Sequence, residues 1–387
     1  MSLAGRDLIS LKDLSVAEIG YVLDVADGMA EAIGFGRGPR SPLGQLDSIL
    51  ATLFFEPSTR TRLSFEAAMM RLGGQVLGFG GPEASSVMKG ETLADTVRMV
   101  EGYSDIIVIR HPLAGTARVA ADCASIPVIN GGDGPHEHPT QTLTDLFCLR
   151  RRKGRLDGLK IALCGDLLYG RTVHSLAPMM ARFGSEVVCI SPPQLRMPAE
   201  VLDECERLTG QRPAEFDAIR DGLGDLDMLY MTRVQRERFG SEEEYQQVKD
   251  CCILTAETMA KAPEQMIVMH PLPRVNEIAT DVDADPRAVY FEQAAGGVPV
   301  RMALMAALLD MAPGRERHRS LGLGAAVTSG CGDTRHEADE EPAYMVAEGG
   351  RICTYAKCIT TTEVYLQAAY TVDEVGEKRC WYCEQVM

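Results

Sequence analysis

Twice along this chain, short apolar runs rich in β-branched residues alternate with longer segments whose apolar positions recur at helical spacing. In the first series the strand-like runs are 49–55, 105–111 and 127–131, and the helix-like segments are 61–72, 92–103, 116–124 and 140–153. In the second the strand-like runs are 159–164, 186–191, 227–232 and 266–269, with helix-like segments at 172–183 and 198–209. Strands joined through helices lie parallel, and a parallel sheet needs helices over both faces. The alternation predicts an α/β fold of two doubly wound parallel-sheet domains, 1–154 and 155–299, with an interdomain cleft and an apolar helix at 300–312 returning to the first domain. Composition then changes: 313–342 is rich in Gly, Arg, Asp and Glu, has few large apolar residues, and reads as a linker. Residues 343–387 are left as a small third unit.

A formal charge of −16 repels nucleic acid and anionic membrane, so neither is an expected partner, and an anionic substrate would need a local cluster of cations. No segment reaches the roughly 18 uninterrupted apolar residues of a membrane span. Residues 1–7 lack the apolar core of a secretory signal, and the expected location is cytoplasmic.

Such a cluster stands at Ser58-Thr59-Arg60-Thr61-Arg62, where the first strand-like run breaks at Glu56-Pro57 and a helical pattern begins. The first N–H groups of a helix have no intrahelical partner, and the macrodipole puts partial positive charge there, so a helix opening at this point is an anion site. Ser58 or Thr59 could instead be a plain N-cap above two solvated arginines. Two cations in a first turn oppose the dipole, however, and call for an anion to balance them. Three further turns carry donors after apolar runs: Arg110-His111-Pro112, His138-Pro139-Thr140-Gln141, and His270-Pro271-Leu272-Pro273-Arg274. Each alone is a loop histidine satisfied by backbone; together, at strand ends of open α/β sheets, they mark a ligand site. The turn 165–170 lacks Gly-x-Gly-x-x-Gly, so no dinucleotide or other organic cofactor is expected.

Twelve cysteines without an export signal read as reduced thiols. Cys123, Cys148, Cys164, Cys189, Cys205, Cys251 and Cys252 sit in apolar segments and are expected in the core. Cys353-x4-Cys358, then 21 residues, then Cys380-x2-Cys383 is a four-thiolate spacing that suits a structural Zn2+, a staple that a unit this small needs to fold alone. Two disulfides or free thiols are the alternatives, and Cys331 and His336 are spare ligands in a poor, loop-like context.

Taken in order, six motifs resemble the catalytic chain of the aspartate carbamoyltransferase family from Asp7 to about Met311. They are Phe55-Glu56-Pro57-Ser58-Thr59-Arg60-Thr61-Arg62, Ser85-Ser86-Val87-Met88-Lys89-Gly90-Glu91-Thr92, His138-Pro139-Thr140-Gln141-Thr142, Gly165-Asp166-Leu167-Leu168-Tyr169-Gly170-Arg171-Thr172, Met231-Thr232-Arg233-Val234-Gln235, and His270-Pro271-Leu272-Pro273-Arg274. The resemblance implies that Ser58, Thr59, Arg60, Thr61 and Arg110 hold the phosphate of carbamoyl phosphate. It implies that Thr61, Arg110 and His138 surround the carbamoyl group, with the backbone carbonyls of Pro271 and Leu272 as further candidates, and that Gln141 binds its amide. Arg171, Arg233 and Gln235 match the positions that bind L-aspartate, whose two carboxylates suit planar bidentate donors. Ser85 and Lys89 would reach into a neighbouring subunit's site, which implies a homotrimer with shared active sites; read alone, Lys89 is an exposed lysine on a mobile loop.

The tail resembles the zinc domain of the same family's regulatory chain, fused here to the catalytic chain, which would allow trimers to pair through it. The nucleotide-binding domain of that regulatory chain has no counterpart in 313–342. Related enzymes acting on ornithine carry a cysteine after the His-Pro and a His-Cys-Leu-Pro element, where this chain has Thr140 and His270-Pro271-Leu272-Pro273. An inactive scaffold homologue would lack phosphate donors, and every matched position is filled.

Overall fold

The computed structural model describes residues 2–35, 46–234, 241–248, 251–310, 345–346, 353–363, 365–366, 369–373 and 376–387. The elements run α1 (Val16–Ala32), β1 (Ile49–Phe54), α2 (Thr59–Leu72), β2 (Gln75–Phe79), α3 (Leu93–Glu101), β3 (Ile106–His111), α4 (Thr116–Cys123), β4 (Val128–Asp133) and α5 (Pro139–Lys153). They continue with β5 (Lys160–Cys164), α6 (Arg171–Arg182), β6 (Glu186–Ile190), α7 (Ala199–Thr209), β7 (Ala214–Phe216), α8 (Ile219–Gly222), β8 (Met228–Met231), α9 (Glu242–Val248), α10 (Ala256–Met259), β9 (Ile267–Met269) and α11 (Tyr290–Leu308). Three short strands follow, β10 (Met345–Val346), β11 (Ala369–Val372) and β12 (Lys378–Cys380).

One compact unit comprises the described residues of Met1–Asp13, Pro39–Pro139 and Arg301–Met387. Its parallel sheet has the order β2-β1-β3-β4, with Leu50 opposite Ile106 and Val76. β1 is buried from Leu50 to Phe54, as a central parallel strand covered on both faces must be. β2 was hidden in the sequence because Gly78 interrupts it. That glycine sits at φ +147, and a Cβ there would lie 2.1 Å from the Thr52 carbonyl oxygen, so close backbone approach displaces the apolar pattern.

The second unit comprises the described residues of Leu14–Gly38 and Thr140–Val300. Its parallel sheet has the order β7-β6-β5-β8-β9. α1 begins with a capping box, the Ser15 side chain accepting from Glu18 N while the Glu18 carboxylate accepts from Ser15 N. Arg150 of α5 pairs with Asp24 at 2.8 Å and Asp27 at 2.6 Å on α1. These pairs tie a helix near the start of the chain to residues beyond 140.

In the described part of 343–387, β10, β11 and β12 form a small antiparallel sheet, and the lobe's cysteines pack into the core of the first unit. Cys353, Cys358, Ile359, Cys380 and Cys383 pack in one cluster with Ile9, Leu93, Val97, Ala114 and Ala117. Tyr355, Leu366, Tyr382 and Met387 of the lobe pack against the same cluster, so the lobe hides apolar surface by joining an existing core. Backbone pairing fixes the junction, with Ala114 N donating to Lys357 O at 2.8 Å and Ile359 N to Ala114 O at 2.9 Å. The linker expected at 313–342, with Cys331 and His336, lies outside the described residues.

Candidate active site and metal centre

β1 ends in the first unit where α2 begins, and Ser58 takes the N-cap position with extended backbone but no side-chain capping hydrogen bond. The plain capping role is therefore unfilled, and the α2 first turn carries no acidic residue to balance its dipole. Arg62 turns along the helix to Glu66 at 2.7 Å. Arg60 is exposed as a whole, while partial desolvation of its guanidinium lowers its pKa. Arg110 arrives from the end of β3, pairing through Nη2 with Glu56 at 2.7 Å and donating from Nη1 to Gly131 O at 3.2 Å, while its buried Nε has no protein partner among the described residues. Burial, with a smaller push from the charge of Arg60, holds Arg110 below its ordinary range, and Glu56 pulls the other way. Two like charges beside a helix N-terminus would be relieved by a bound anion. Thr61, buried in the first turn, sets Oγ1 3.4 Å from Nε2 of buried His138, so a hydroxyl and an imidazole border the same cradle.

Ser85 donates to Pro82 O at 2.8 Å, and Lys89 ends the single helical turn Ser86–Lys89, exposed to solvent. Among the described residues Lys89 makes no ion pair within its own chain.

In the second unit, Arg171 opens α6 directly after Gly170, and Arg233 follows β8, both half-buried. Gln235 lies outside the described residues. Gln141, in the first turn of α5, donates from Nε2 to Asp145 Oδ1 at 2.8 Å. Asp145 also accepts from Gln293 Nε2 at 2.6 Å and from Tyr230 OH at 2.8 Å. Gln293 Oε1 in turn accepts from His270 N at 2.8 Å. His270 bonds Glu277 through Nε2 at 2.7 Å and accepts from Leu272 N on Nδ1 at 2.8 Å. Leu272 is held at φ 51, a left-handed backbone that a branched side chain rarely adopts. Neither Pro271 nor Leu272 offers its carbonyl to a backbone hydrogen bond among the described residues. Sequence reasoning named Arg110, Gln141 and the His270–Leu272 turn but not Glu56, which pairs with Arg110, nor Asp145, Gln293 and Glu277, which bond Gln141 and His270, nor Tyr230, which bonds Asp145. The one available signal was the i, i+4 spacing of Gln141 and Asp145 on a single helix.

The four tail cysteines are brought together and buried, with all ligand atoms within 4.8 Å of one another. The Cys353–Cys383 and Cys358–Cys380 sulfur separations are 3.6 and 3.8 Å. A tetrahedral ion with metal–sulfur bonds of about 2.3 Å places its sulfurs roughly 3.8 Å apart, so this buried group could hold a metal. Hydrogen bonds from Cys380 and Cys383 push Cys358 towards its thiolate form, the form that binds a metal ion. Thr360 Oγ1 adds a bond to its sulfur at 3.2 Å. Next to this centre, His136, Glu137 and Glu384 form a second ligand-like group, in which Lys12 already stands as the cation, 2.8 Å from Glu384 and 3.8 Å from Glu137.

Comparison with known proteins matches residues 6–151 to the aspartate/ornithine carbamoyltransferase carbamoyl-P binding domain and residues 157–308 to the Asp/Orn binding domain. The aspartate carbamoyltransferase catalytic subunit of Methanosarcina barkeri is 55% identical over 307 residues, covering 79% of this chain and 98% of that one. The chain belongs to the aspartate/ornithine carbamoyltransferase family. The catalytic subunit of Thermococcus onnurineus is 50% identical, covering 81% of this chain and 100% of its own. Among solved members of the family, the catalytic subunit of M. jannaschii aspartate transcarbamoylase is 46% identical with a TM-score of 0.73, covering 80% of this chain and 99% of that one. Aspartate transcarbamoylase from Trypanosoma cruzi, in complex with carbamoyl phosphate and aspartate, is 41% identical with a TM-score of 0.74, covering 79% and 98%. The anion cradle at α2 lies in the segment matched to carbamoyl-P binding, and Arg171, Arg233 and His270 lie in the segment matched to Asp/Orn binding.

Proposed function

We propose that this chain transfers the carbamoyl group of carbamoyl phosphate to the amine of L-aspartate, giving N-carbamoyl-L-aspartate and phosphate, as an early step of pyrimidine synthesis in the cytoplasm. The observation that carries this reading is the mutually opposed pair Arg60 and Arg110 at an N-terminus whose Ser58 hydroxyl is not spent on capping.

In this reading Ser58, Thr59, Arg60, Thr61 and Arg110 hold the phosphate, and Thr61, Arg110 and His138 face the carbamoyl oxygen. Gln141 and the carbonyls of Pro271 and Leu272 take the carbamoyl amide. Arg171, Arg233 and Gln235 take the two carboxylates of aspartate. The amine lone pair attacks the carbamoyl carbon; the C–N bond forms as the C–O bond to phosphate breaks, phosphate keeps the electron pair, and the amine proton passes to phosphate or water. Charge builds on the carbamoyl oxygen and the departing phosphate, so fixed donors aimed at both supply the catalysis, with no protein nucleophile and no organic cofactor.

Exposed Lys89 supports the further reading that Ser85 and Lys89 complete a neighbouring subunit's site in a homotrimer. The tail cysteines fit Zn2+, which when bound would act structurally, since four thiolates leave no open position for water. Its lobe is a candidate bridge between paired trimers. Steady-state turnover with carbamoyl phosphate and either aspartate or ornithine tests the function: product with aspartate alone is expected, and turnover with ornithine in its place rejects the assignment.

A further inference from the structure

Several donors and acceptors in the second unit are satisfied in only one orientation. The Asp145 carboxylate is used purely as an acceptor, by Gln141 Nε2, Gln293 Nε2 and Tyr230 OH. A glutamine amide has one donating and one accepting end. With Nε2 of Gln141 tied to Asp145, the other end is Oε1, an acceptor. The same carboxylate fixes Gln293, whose Oε1 must then be the end that accepts from His270 N. The His270 ring is fixed by a second carboxylate: Nε2–H donates to Glu277, so Nδ1 is the lone-pair nitrogen that takes Leu272 N–H. That bond consumes the Leu272 N–H and leaves the carbonyls of Pro271 and Leu272 outside the backbone hydrogen-bond network of the described residues. Gln141 Oε1 and the carbonyls of Pro271 and Leu272 are thus left as acceptors on this edge.

We propose that Asp145, through Gln141 and Gln293, is the positioning residue that makes this site demand an N–H2 group, so that it selects a carbamoyl over an acyl group of the same shape. The proposal rests on the reading above that Gln141, Pro271 and Leu272 meet the carbamoyl amide. An NH2 satisfies acceptors that a methyl group leaves bare, and bare buried acceptors are costly. Were Gln141 free to rotate, its own NH2 would face the ligand half of the time and the selection would weaken.

The test uses two stable isosteres, phosphonoacetamide and acetonylphosphonate, which differ by NH2 against CH3, in equilibrium binding to the full-length protein. The wild type is expected to prefer the amide by roughly tenfold or more, the equivalent of one matched hydrogen bond. Both glutamines donate to the same oxygen, Asp145 Oδ1, so Asp145→Leu, of similar shape but without an acceptor, frees Gln141 to turn and should bring the ratio close to one. Gln141→Met removes the oriented acceptor while leaving Asp145 and Gln293 paired, and should lower the ratio likewise. A merely structural Asp145 would weaken both ligands together and leave the ratio unmoved; that result, or equal binding of both ligands by the wild type, overturns the proposal. Should Asp145→Leu fail to fold, Gln141→Met decides alone, and an unchanged amide preference in it is fatal. A wild type that binds neither compound refutes the proposed function instead.

Discussion

Gly115 and Tyr382 touch backbone to backbone: a Cβ built on Gly115 would stand 2.6 Å from the Tyr382 Cβ and 2.7 Å from its carbonyl oxygen. Gly115 opens α4 at φ +84, so it tolerates both the left-handed backbone and the approach of the tail lobe. Gly115→Ala should lift the lobe from α4. Gly5→Ala is the control, since Gly5 has φ +75 with nothing within 4 Å of the added carbon, and should cost only the backbone strain, about 1–2 kcal/mol. Denaturation midpoints and limited proteolysis of the tail compare the two; equal effects would show that the contact is dispensable.

Arg60→Ala should leave folding within about 0.5 kcal/mol of wild type, because Arg60 is exposed. It should lower kcat by roughly 100-fold to 1,000-fold, the usual cost of losing one fixed donor to transition-state charge. Arg62→Ala is the contrast: its guanidinium is engaged by Glu66, so its loss should touch stability more than rate. Similar kinetics for the two variants would argue against Arg60 as the phosphate ligand.

Both parallel sheets were legible because β1, β3, β5 and β8 are buried on both faces and read as uninterrupted apolar runs. β2 was not, since Gly78 and partial exposure break its run. In the candidate site, sequence left Ser58 open between cap and ligand, and the structure shows that its side chain makes no capping bond. Asp145 and Gln293 are 148 residues apart, and nothing local in either predicts their pairing. The cysteine spacing identified a metal-like group, yet where it packs depends on complementarity with α4 and the Ala114 edge, which spacing does not encode.

His111 gives a pH signature. Burial lowers its pKa from 6.5 to about 4, against a smaller opposing pull from Asp133, and its Nδ1 lone pair accepts from Leu113 N at 3.0 Å. The unfolded chain takes up a proton near 6.5 that the folded chain refuses, so this contribution is complete above 6.5 and declines as pH falls to about 4, by roughly 3 kcal/mol. His111→Asn keeps an acceptor without a titrating group and should flatten that part of the curve. Urea denaturation at several pH values checks it, and parallel slopes for variant and wild type would exclude His111 as the source.

If Ser85 and Lys89 serve a neighbouring subunit, Lys89→Ala and Arg60→Ala chains, each nearly inactive, should regain activity when mixed and reassembled, because some sites then draw both residues from intact chains. In random mixed trimers the recovery is set by the fraction of such sites. A verified mixed trimer with no gain over either parent would refute sharing.

If the tail cysteines hold the proposed metal, removing it should reach further than the tail. The sequence alone suggests a lobe that melts by itself, but Cys353, Cys358, Cys380 and Cys383 pack among Ile9, Leu93, Ala114 and Ala117 of the first unit. Freed of an ion, four close thiols must lose charge or separate, and separation opens that shared core. Trp381, stacked at 4.9 Å from the Arg118 guanidinium, and the Ala114–Cys358 bridge would transmit the opening to α4. Chelation, or Cys380→Ser, should therefore raise amide exchange in Thr116–Cys123 as well as in the tail and leave β5, β6 and β8 of the second unit protected. Particle mass by light scattering should fall if the lobe bridges trimers. Phosphonoacetamide binding should weaken in step with exchange in α4, since His138 and Arg110 belong to the disturbed unit. A tail that melts while α4 keeps its protection would show that the shared core contributes nothing to the fold of the first unit.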